Sequence, residues 1–369
     1  MFAFGIEHEV AFLDRKKRFV DFTNTSFADL AAIVDALPFY EEDYPQLRIG
    51  DAGIKYKRWY IEGFERYNNA GQVVACPPKG IEIRTTIRST IMGAVAELAT
   101  SFQQLATRAR TAGLTPVCIS FHPYHKTFVP DPPLNDYEQS RRQLSPEKQT
   151  ALLPMLTYGP DLNLSLQGLS TADIITLGQK LTYYSPFIIP FSYSSPFYHG
   201  ELWEGLSIRT FVRTGVRPAT MVFLGRAEDL LASNPSLTKI ARIPAEEGRI
   251  EFKACDSCAN FAIYAGLLAL LKGLVLDQTL TGKALVPDAA LHQLSARQGF
   301  SSQEITEGTW QILQAAEHAL QADPDRHLLN LLRTMLISRR TPAHDLIQSF
   351  QQTGSIEGTL YSSYAQINT

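Results

Sequence analysis

Gly5-Ile6-Glu7-His8-Glu9 places carboxylates on alternate residues of a strand-like segment, and two later stretches repeat the device: Lys79-Gly80-Ile81-Glu82-Ile83-Arg84 and Gly248-Arg249-Ile250-Glu251-Phe252-Lys253. Successive side chains of a strand point to opposite faces, so Glu7 shares a face with Glu9, Glu82 with Arg84, and Glu251 with Lys253. If these strands adjoin, one face of the sheet is charged and the other apolar. A charged concavity is costly unless something satisfies it. A metal-nucleotide complex would do so, because Mg²⁺ or Mn²⁺ takes carboxylate oxygens while phosphates take Arg and Lys. The alternative is an exposed strand that simply alternates apolar and charged residues.

Working outward, strand signals cover 2–13, 46–61, 73–76, 81–87, 115–121 and 162–166. Ser89 could cap a helix running to Ala112, with Gly113 ending it, and another helix starts near Thr171. After the third charged strand, 258–277, 288–297, 301–321, 326–338 and 342–353 all read as helices. Strands that gather first and helices that gather later predict an α+β fold, an antiparallel or mixed sheet with helices on its back. No repeat, linker or sharp change of composition divides the 369 residues, so 258–369 is expected to be a mainly helical layer on the same unit.

Composition sets the function classes. A 45% hydrophobic and 10% aromatic content supports a large core. With 34 basic against 37 acidic residues and a net charge of −3, the chain does not read as a nucleic-acid binder or membrane-surface protein. The opening residues lack the cationic start and apolar core of a signal peptide. The longest apolar run, Phe261 to Leu276, is broken by Lys272 and suits a buried helix better than a membrane span. A cytoplasmic location is expected. Among four cysteines, only Cys255 and Cys258 form a CxxC; without a second pair they read as core thiols more than as a zinc or redox site.

Cations cluster too. Arg209, Arg213 and Arg217 are spaced by four and would share one face of a helix, while Arg84, Arg88 and Lys253 lie on or beside the charged strands. Guanidinium groups bind phosphate and carboxylate bidentately, so the set could hold a polyphosphate tail and a substrate carboxylate; a solvated helix face is the plainer reading of the arginine series. Lys55-Tyr56-Lys57-Arg58-Trp59-Tyr60 interleaves charge with aromatics, a single-strand nucleic-acid pattern that an acidic chain does not support. Asp161, Asn163, Ser165 and Gln167 form a polar row suited to an amino-acid ligand or to a solvent-facing edge. His122 falls at a strand end, where functional side chains gather, though a hydrogen-bonded structural histidine fits as well.

With these residues in view, the chain resembles the glutamate-cysteine ligase type 2 family, carboxylate-amine ligases related to glutamine synthetase. The motifs run in family order: Gly5-Ile6-Glu7-His8-Glu9, Gly80-Ile81-Glu82-Ile83-Arg84-Thr85, Phe121-His122-Pro123, Ser195-Pro196-Phe197 with Gly200, Ser207-Ile208-Arg209, Arg249 to Asp256, and Ser338 to Ala343. The resemblance implies one catalytic domain over 1–369, with a curved, mostly antiparallel sheet cupping the active site and backed by helices, as in the glutamine synthetase catalytic domain. It implies ATP with Mg²⁺ or Mn²⁺ as cofactors. Glu7, Glu9, Glu82 and Glu251 would be metal ligands; Arg84, Arg209 and Lys253 would contact phosphate or the activated carboxylate. Arg213, Arg217, Asn163, Ser165 and His122 are the candidates for nucleotide contacts. Two positions depart from the family: Asn163 and Ser165 stand where relatives often carry a His-x-His strand, and Lys253 where they carry Arg.

The implied reaction activates a carboxylate, the γ-carboxylate of glutamate first among candidates, by phosphorylation and couples it to cysteine or another small amine. The protein's task is positioning and charge neutralisation, with Glu82 or His122 the candidates for a base. Alternatives are a phosphotransferase on the same scaffold, as in guanidino kinases, and a non-catalytic nucleotide or amino-acid sensor. Partners would be small molecules, with neither nucleic acid nor membrane, and the family leaves room for a homodimer.

Overall fold

The computed structural model describes residues 1–43, 46, 47 and 57–364. Most of the strand anticipated over 46–61 therefore lies outside the described residues, as do Lys55 and Tyr56 of the basic-aromatic segment. Seven strands build the sheet around the site: β1 (Phe2–Leu13), β2 (Trp59–Gly63), β3 (Pro78–Arg84), β4 (Pro160–Leu166), β5 (Thr220–Leu224), β6 (Thr238–Ile240) and β7 (Ile250–Phe252). Their order is β6-β5-β7-β4-β1-β3-β2. Every neighbouring pair is antiparallel except β5 with β6. The far half of β1 also pairs with the short strands Phe19–Val20 and Thr115–Val117.

Alternation decides which face is which. Phe4, Ile6, His8, Val10 and Phe12 are buried on one side of β1, whereas Glu7 and Glu9 are only half-buried on the other. The buried side packs on helix α1 (Ile91–Thr111), and β4 packs on a later helix, Ala262–Leu276. In that second helix thirteen consecutive residues, Ile263 to Val275, are buried, so the long apolar run is an interior helix. Each such fully buried aliphatic or aromatic side chain contributes roughly 1.5–3 kcal/mol. His8 joins this core between its two glutamates. Its Nδ1 and Nε2 lie 3.0 and 2.9 Å from the hydroxyls of Tyr264 and Tyr364, and burial pushes its pKa down to about 3, leaving a neutral ring.

The helices expected after Lys253 are present at Ala262–Leu276, Ala289–Gln298, Gln303–Ala319, Leu329–Ser338 and Pro342–Thr353. Among the described residues, none is long and apolar enough to cross a membrane. Boundaries moved where turn chemistry decided them. Thr90, not Ser89, caps α1 by accepting from the Gly93 amide, and the strand expected to reach Ile87 stops at Arg84. The helix expected to carry three arginines runs only over Ile208–Arg213, because the chain turns through Gly215 at φ 76° and then meets Pro218. Cys255 and Cys258 are buried and unpaired, as are Cys76 and Cys118. Burial pushes the Cys255 thiol up to about 12, so it behaves as core.

Candidate active site

Strand register gathers the acids. Glu7 stands opposite Arg84 on β3 and Asp161 on β4; Glu9 stands opposite Glu82, which itself faces Tyr60 on β2. Asn163 is paired with Gly5 on one side and Glu251 on the other. Residues paired across a sheet share a face, so side chains from five strands converge on one surface. That surface is the floor of a cleft of about 290 Å³, lined from Tyr60 and Glu62 at one end of the sheet to Phe223 and Lys239 at the other. A sheet whose two ends line one cleft is curved.

The carboxylates form two triads, Glu7/Asp161/Glu251 and Glu9/Glu62/Glu82, and within each the ligand oxygens lie within 4.8 Å of one another. In the first, Lys253 Nζ donates to both Asp161 and Glu251, and Arg249 lies 2.9 Å from Glu251 and 3.5 Å from Glu7. Burial works against the charge of Glu251, but Lys253 and Arg249 overcome it and hold the group at about 2. Asp161 receives less help: burial pushes it up to about 7, Lys253 offsetting only part of the shift. In the second triad, buried Lys79 sits 2.8 Å from Glu9 and also donates to the carbonyls of Pro154 and Thr157. Glu82 is raised well above the usual carboxylate range by burial, with Glu62, Glu7 and Glu9 adding to it, and its Oε1 finds no hydrogen-bond partner.

Three guanidinium groups line another part of the cleft. Arg209 donates to the carbonyls of Ala254 (3.0 Å) and Lys253 (3.2 Å), Arg213 to that of Lys253 (3.2 Å), and Arg217 to that of Glu147 (3.0 Å). Arg213 is shifted well below the usual arginine range by burial and then by its neighbours Arg209 and Arg217; Arg217 is lowered mainly by burial. The Nε atoms of Arg209 and Arg217 have no hydrogen-bond partner. Gly159 makes room for this wall, since a Cβ there would lie 2.1 Å from Arg209 Nη2.

Eleven of the twelve residues singled out from the sequence reach this cleft: Glu7, Glu9, Glu82, Glu251, Arg84, Arg209, Lys253, Arg213, Arg217, Asn163 and Ser165. Arg217 does so from the turn beyond its expected helix, tied by its amide to the Arg213 carbonyl at 3.0 Å. Gln167 is not among the lining residues, and Arg88 pairs with Glu97 instead. His122 is the correction. It is fully buried away from the cleft, where its Nδ1 accepts from the amides of Tyr124 and His125 and its Nε2 therefore carries the proton, donated to Asp21 at 2.9 Å. Outside the cleft and with both nitrogens engaged, it is not placed to act as a base there.

Glu62, Lys79 and Arg249 were missed as site residues, and Asp161 was read only as a ligand contact. Glu62 had a signal: Trp59-Tyr60-Ile61-Glu62-Gly63 repeats the alternation with its glycine after the acid rather than before. The donor set fits the groups that the family implies. Triads made only of carboxylate oxygens suit hard cations such as Mg²⁺ or Mn²⁺, and buried arginines that repel one another suit a polyphosphate.

Residues 3–215 match the model of glutamate-cysteine ligase family 2 (GCS2). No curated protein sequence matches the chain significantly. Among solved structures, the fold is similar to a bifunctional glutathione synthetase from Pasteurella multocida, with TM-score 0.58 and 11% identity over 99% of this chain and 52% of that one. It is also similar to a glutamate-cysteine ligase from Francisella tularensis crystallised in complex with AMP, with TM-score 0.57 and 10% identity over 99% of this chain and 88% of that one. The chain thus spans about half the length of the first protein and most of the second; both likenesses establish the fold. The family match takes in more than half of the sequence, including Glu7, Glu9, Glu62, Glu82, Asp161 and Arg209, and the chain belongs to glutamate-cysteine ligase family 2.

Proposed function

We propose that this chain is an ATP-dependent carboxylate-amine ligase that activates the γ-carboxylate of glutamate and couples it to a small amine. One observation carries the reading: strand register gathers two carboxylate triads into the cleft that Arg209, Arg213 and Arg217 also line. Divalent cations held there would neutralise charge on the phosphate oxygens. The AMP in the Francisella relative is in keeping with a nucleotide at such a site.

A carboxylate lacks a leaving group, so its oxygen first attacks the γ-phosphorus of ATP and ADP departs with the electrons of the broken P–O bond. The amine nitrogen then attacks the acyl carbon; a C–N bond forms, the C–O bond to phosphate breaks, and inorganic phosphate leaves. The nitrogen's proton passes to a carboxylate or to solvent. In this scheme Glu7, Asp161, Glu251, Glu9, Glu62 and Glu82 hold the cations. Arg209, Arg213 and Arg217 hold the phosphates, and Arg84 and Lys253 orient the acyl group. Lys253 presents a point charge rather than a guanidinium fork, which suits its place between Asp161 and Glu251.

The test is product analysis of purified protein with ATP, Mg²⁺ and glutamate against a library of amines. ADP and free phosphate should appear only when glutamate and an amine are both present. A phosphorylated acceptor without free phosphate would instead make it a phosphotransferase, and nucleotide binding without turnover would make it a sensor.

A further inference from the structure

Strand β2 is the edge of the sheet, paired with β3 alone among the described residues, and a second cavity of about 290 Å³ opens along it. Tyr60 and Glu62 line both this cavity and the carboxylate cleft, so the two spaces meet at a carboxylate of the second triad. The cavity's walls differ in character. Phe64, Leu134 and Ala151 supply apolar surface. Arg141, Arg142 and Lys148 supply cations from the short helices Asp136–Arg142 and Pro146–Gln149. Arg141 stacks over the Tyr67 ring at 4.2 Å, and Arg142 is held by the Gln149 carbonyl at 2.6 Å. The acid of that wall, Glu138, is taken up by Arg66 in a two-pronged pair at 2.7 and 3.0 Å. Acids reappear toward β2, where Glu65 and Glu62 line the cavity together with Cys76.

We infer that this cavity is the acceptor subsite, and that the acceptor is an amine with an apolar body and an anionic group, such as an amino acid of leucine or phenylalanine size. The inference rests on the ligase reading above. The ammonium end lies by Glu62, where the nitrogen reaches the acyl phosphate formed in the cleft; the apolar body lies on Phe64, Leu134 and Ala151; the carboxylate lies by Arg141 and Arg142. An apolar cavity with few charged groups at opposed positions fixes orientation as well as affinity. The amide-forming step carries one proton more than the step above: the ammonium first gives a proton to a carboxylate or to solvent, which frees its lone pair, then nitrogen bonds to the acyl carbon, phosphate leaves, and the second proton passes to a carboxylate or to solvent.

Hydroxylamine separates the two ideas, because it is small enough to intercept an acyl phosphate without filling the cavity. Wild-type protein with ATP, Mg²⁺ and glutamate should form glutamyl hydroxamate. It should also use leucine or phenylalanine with a kcat/KM about 10-fold or more above that of isopentylamine or phenethylamine, which lack the carboxylate. Arg142→Ala should remove that preference, and Ala151→Trp should suppress all four amines, with hydroxamate formation unchanged in both variants. Hydroxamate formation accompanied by equal use of the carboxylated and decarboxylated amines, or by unaltered amine kinetics in both variants, would overturn the subsite and leave the ligase standing. Absence of hydroxamate and of any amide would overturn both.

Discussion

Glu9 and Glu82 face each other across the antiparallel pair β1 and β3, two carboxylates directly opposed in a partly buried site. Like charges so placed are destabilising unless a cation or a proton lies between them. Lys79 answers Glu9, but Glu82 keeps an oxygen without a partner. The pairing makes sense as half of a cation site.

Glu82→Gln should therefore separate folding from binding. Glutamine keeps the shape of a carboxyl that burial and neighbouring acids already drive toward its neutral form, so the thermal midpoint of ligand-free protein should hold or rise. Affinity for Mg²⁺-ATP should fall at least tenfold, about 1.4 kcal/mol. Scanning calorimetry checks the midpoint and calorimetric titration the affinity, and an unchanged affinity would take Glu82 out of the cation site.

The arginine wall makes a parallel prediction. Arg213 is buried beside Arg209 and Arg217, whose charges depress its pKa after burial has done so. Arg213→Met should leave ligand-free stability within about 1 kcal/mol of wild type, because lost hydrogen bonds to carbonyls are offset by relief of repulsion. ATP affinity should drop by about tenfold or more while Mg²⁺ binding without nucleotide persists. Equal loss of both would place Arg213 in the fold rather than at the phosphates.

Much of this site was legible before any coordinates. The alternation in Gly5-Ile6-Glu7-His8-Glu9 fixed which side chains share a face, and the same pattern at Glu82 and Glu251 marked strands of one sheet. What periodicity cannot supply is register between strands distant in sequence, and so the division of the acids into two triads was not foreseen. Nor can it say whether a residue off the pattern turns inward: Lys79 precedes its strand's charged row yet is wholly buried against Glu9. His122 misled for the converse reason. The strand expected to reach Phe121 stops at Val117, so His122 lies beyond the strand end in irregular chain, and the two backbone amides that claim its Nδ1 come from a turn whose geometry the sequence does not reveal.

Titration offers an independent check. The Asp161 carboxyl is pushed from its ordinary 3.8 to about 7 by burial, so between those values the unfolded chain binds fewer protons than the folded one. Ligand-free stability contributed by Asp161 is therefore full at low pH and falls as pH rises toward 7, by at most about 1.4 kcal/mol per unit for one proton. Glu251 acts in the opposite sense: held at about 2, it contributes above its ordinary 4.5, and that contribution is lost as pH falls toward 2. Chemical denaturation of Asp161→Asn against wild type isolates the first effect. The variant should gain stability relative to wild type as pH rises from about 5 to about 7.5, and no change in the difference would show that Asp161 ionises normally.

The central claim is that the two triads hold cations beneath one triphosphate. Anomalous diffraction from crystals grown with Mn²⁺ and a non-hydrolysable ATP analogue tests it most directly. Manganese peaks are expected at Glu7/Asp161/Glu251 and Glu9/Glu62/Glu82, with the phosphates reaching Arg209, Arg213 and Arg217. Manganese bound elsewhere, or a triphosphate lying outside this cleft, would contradict it.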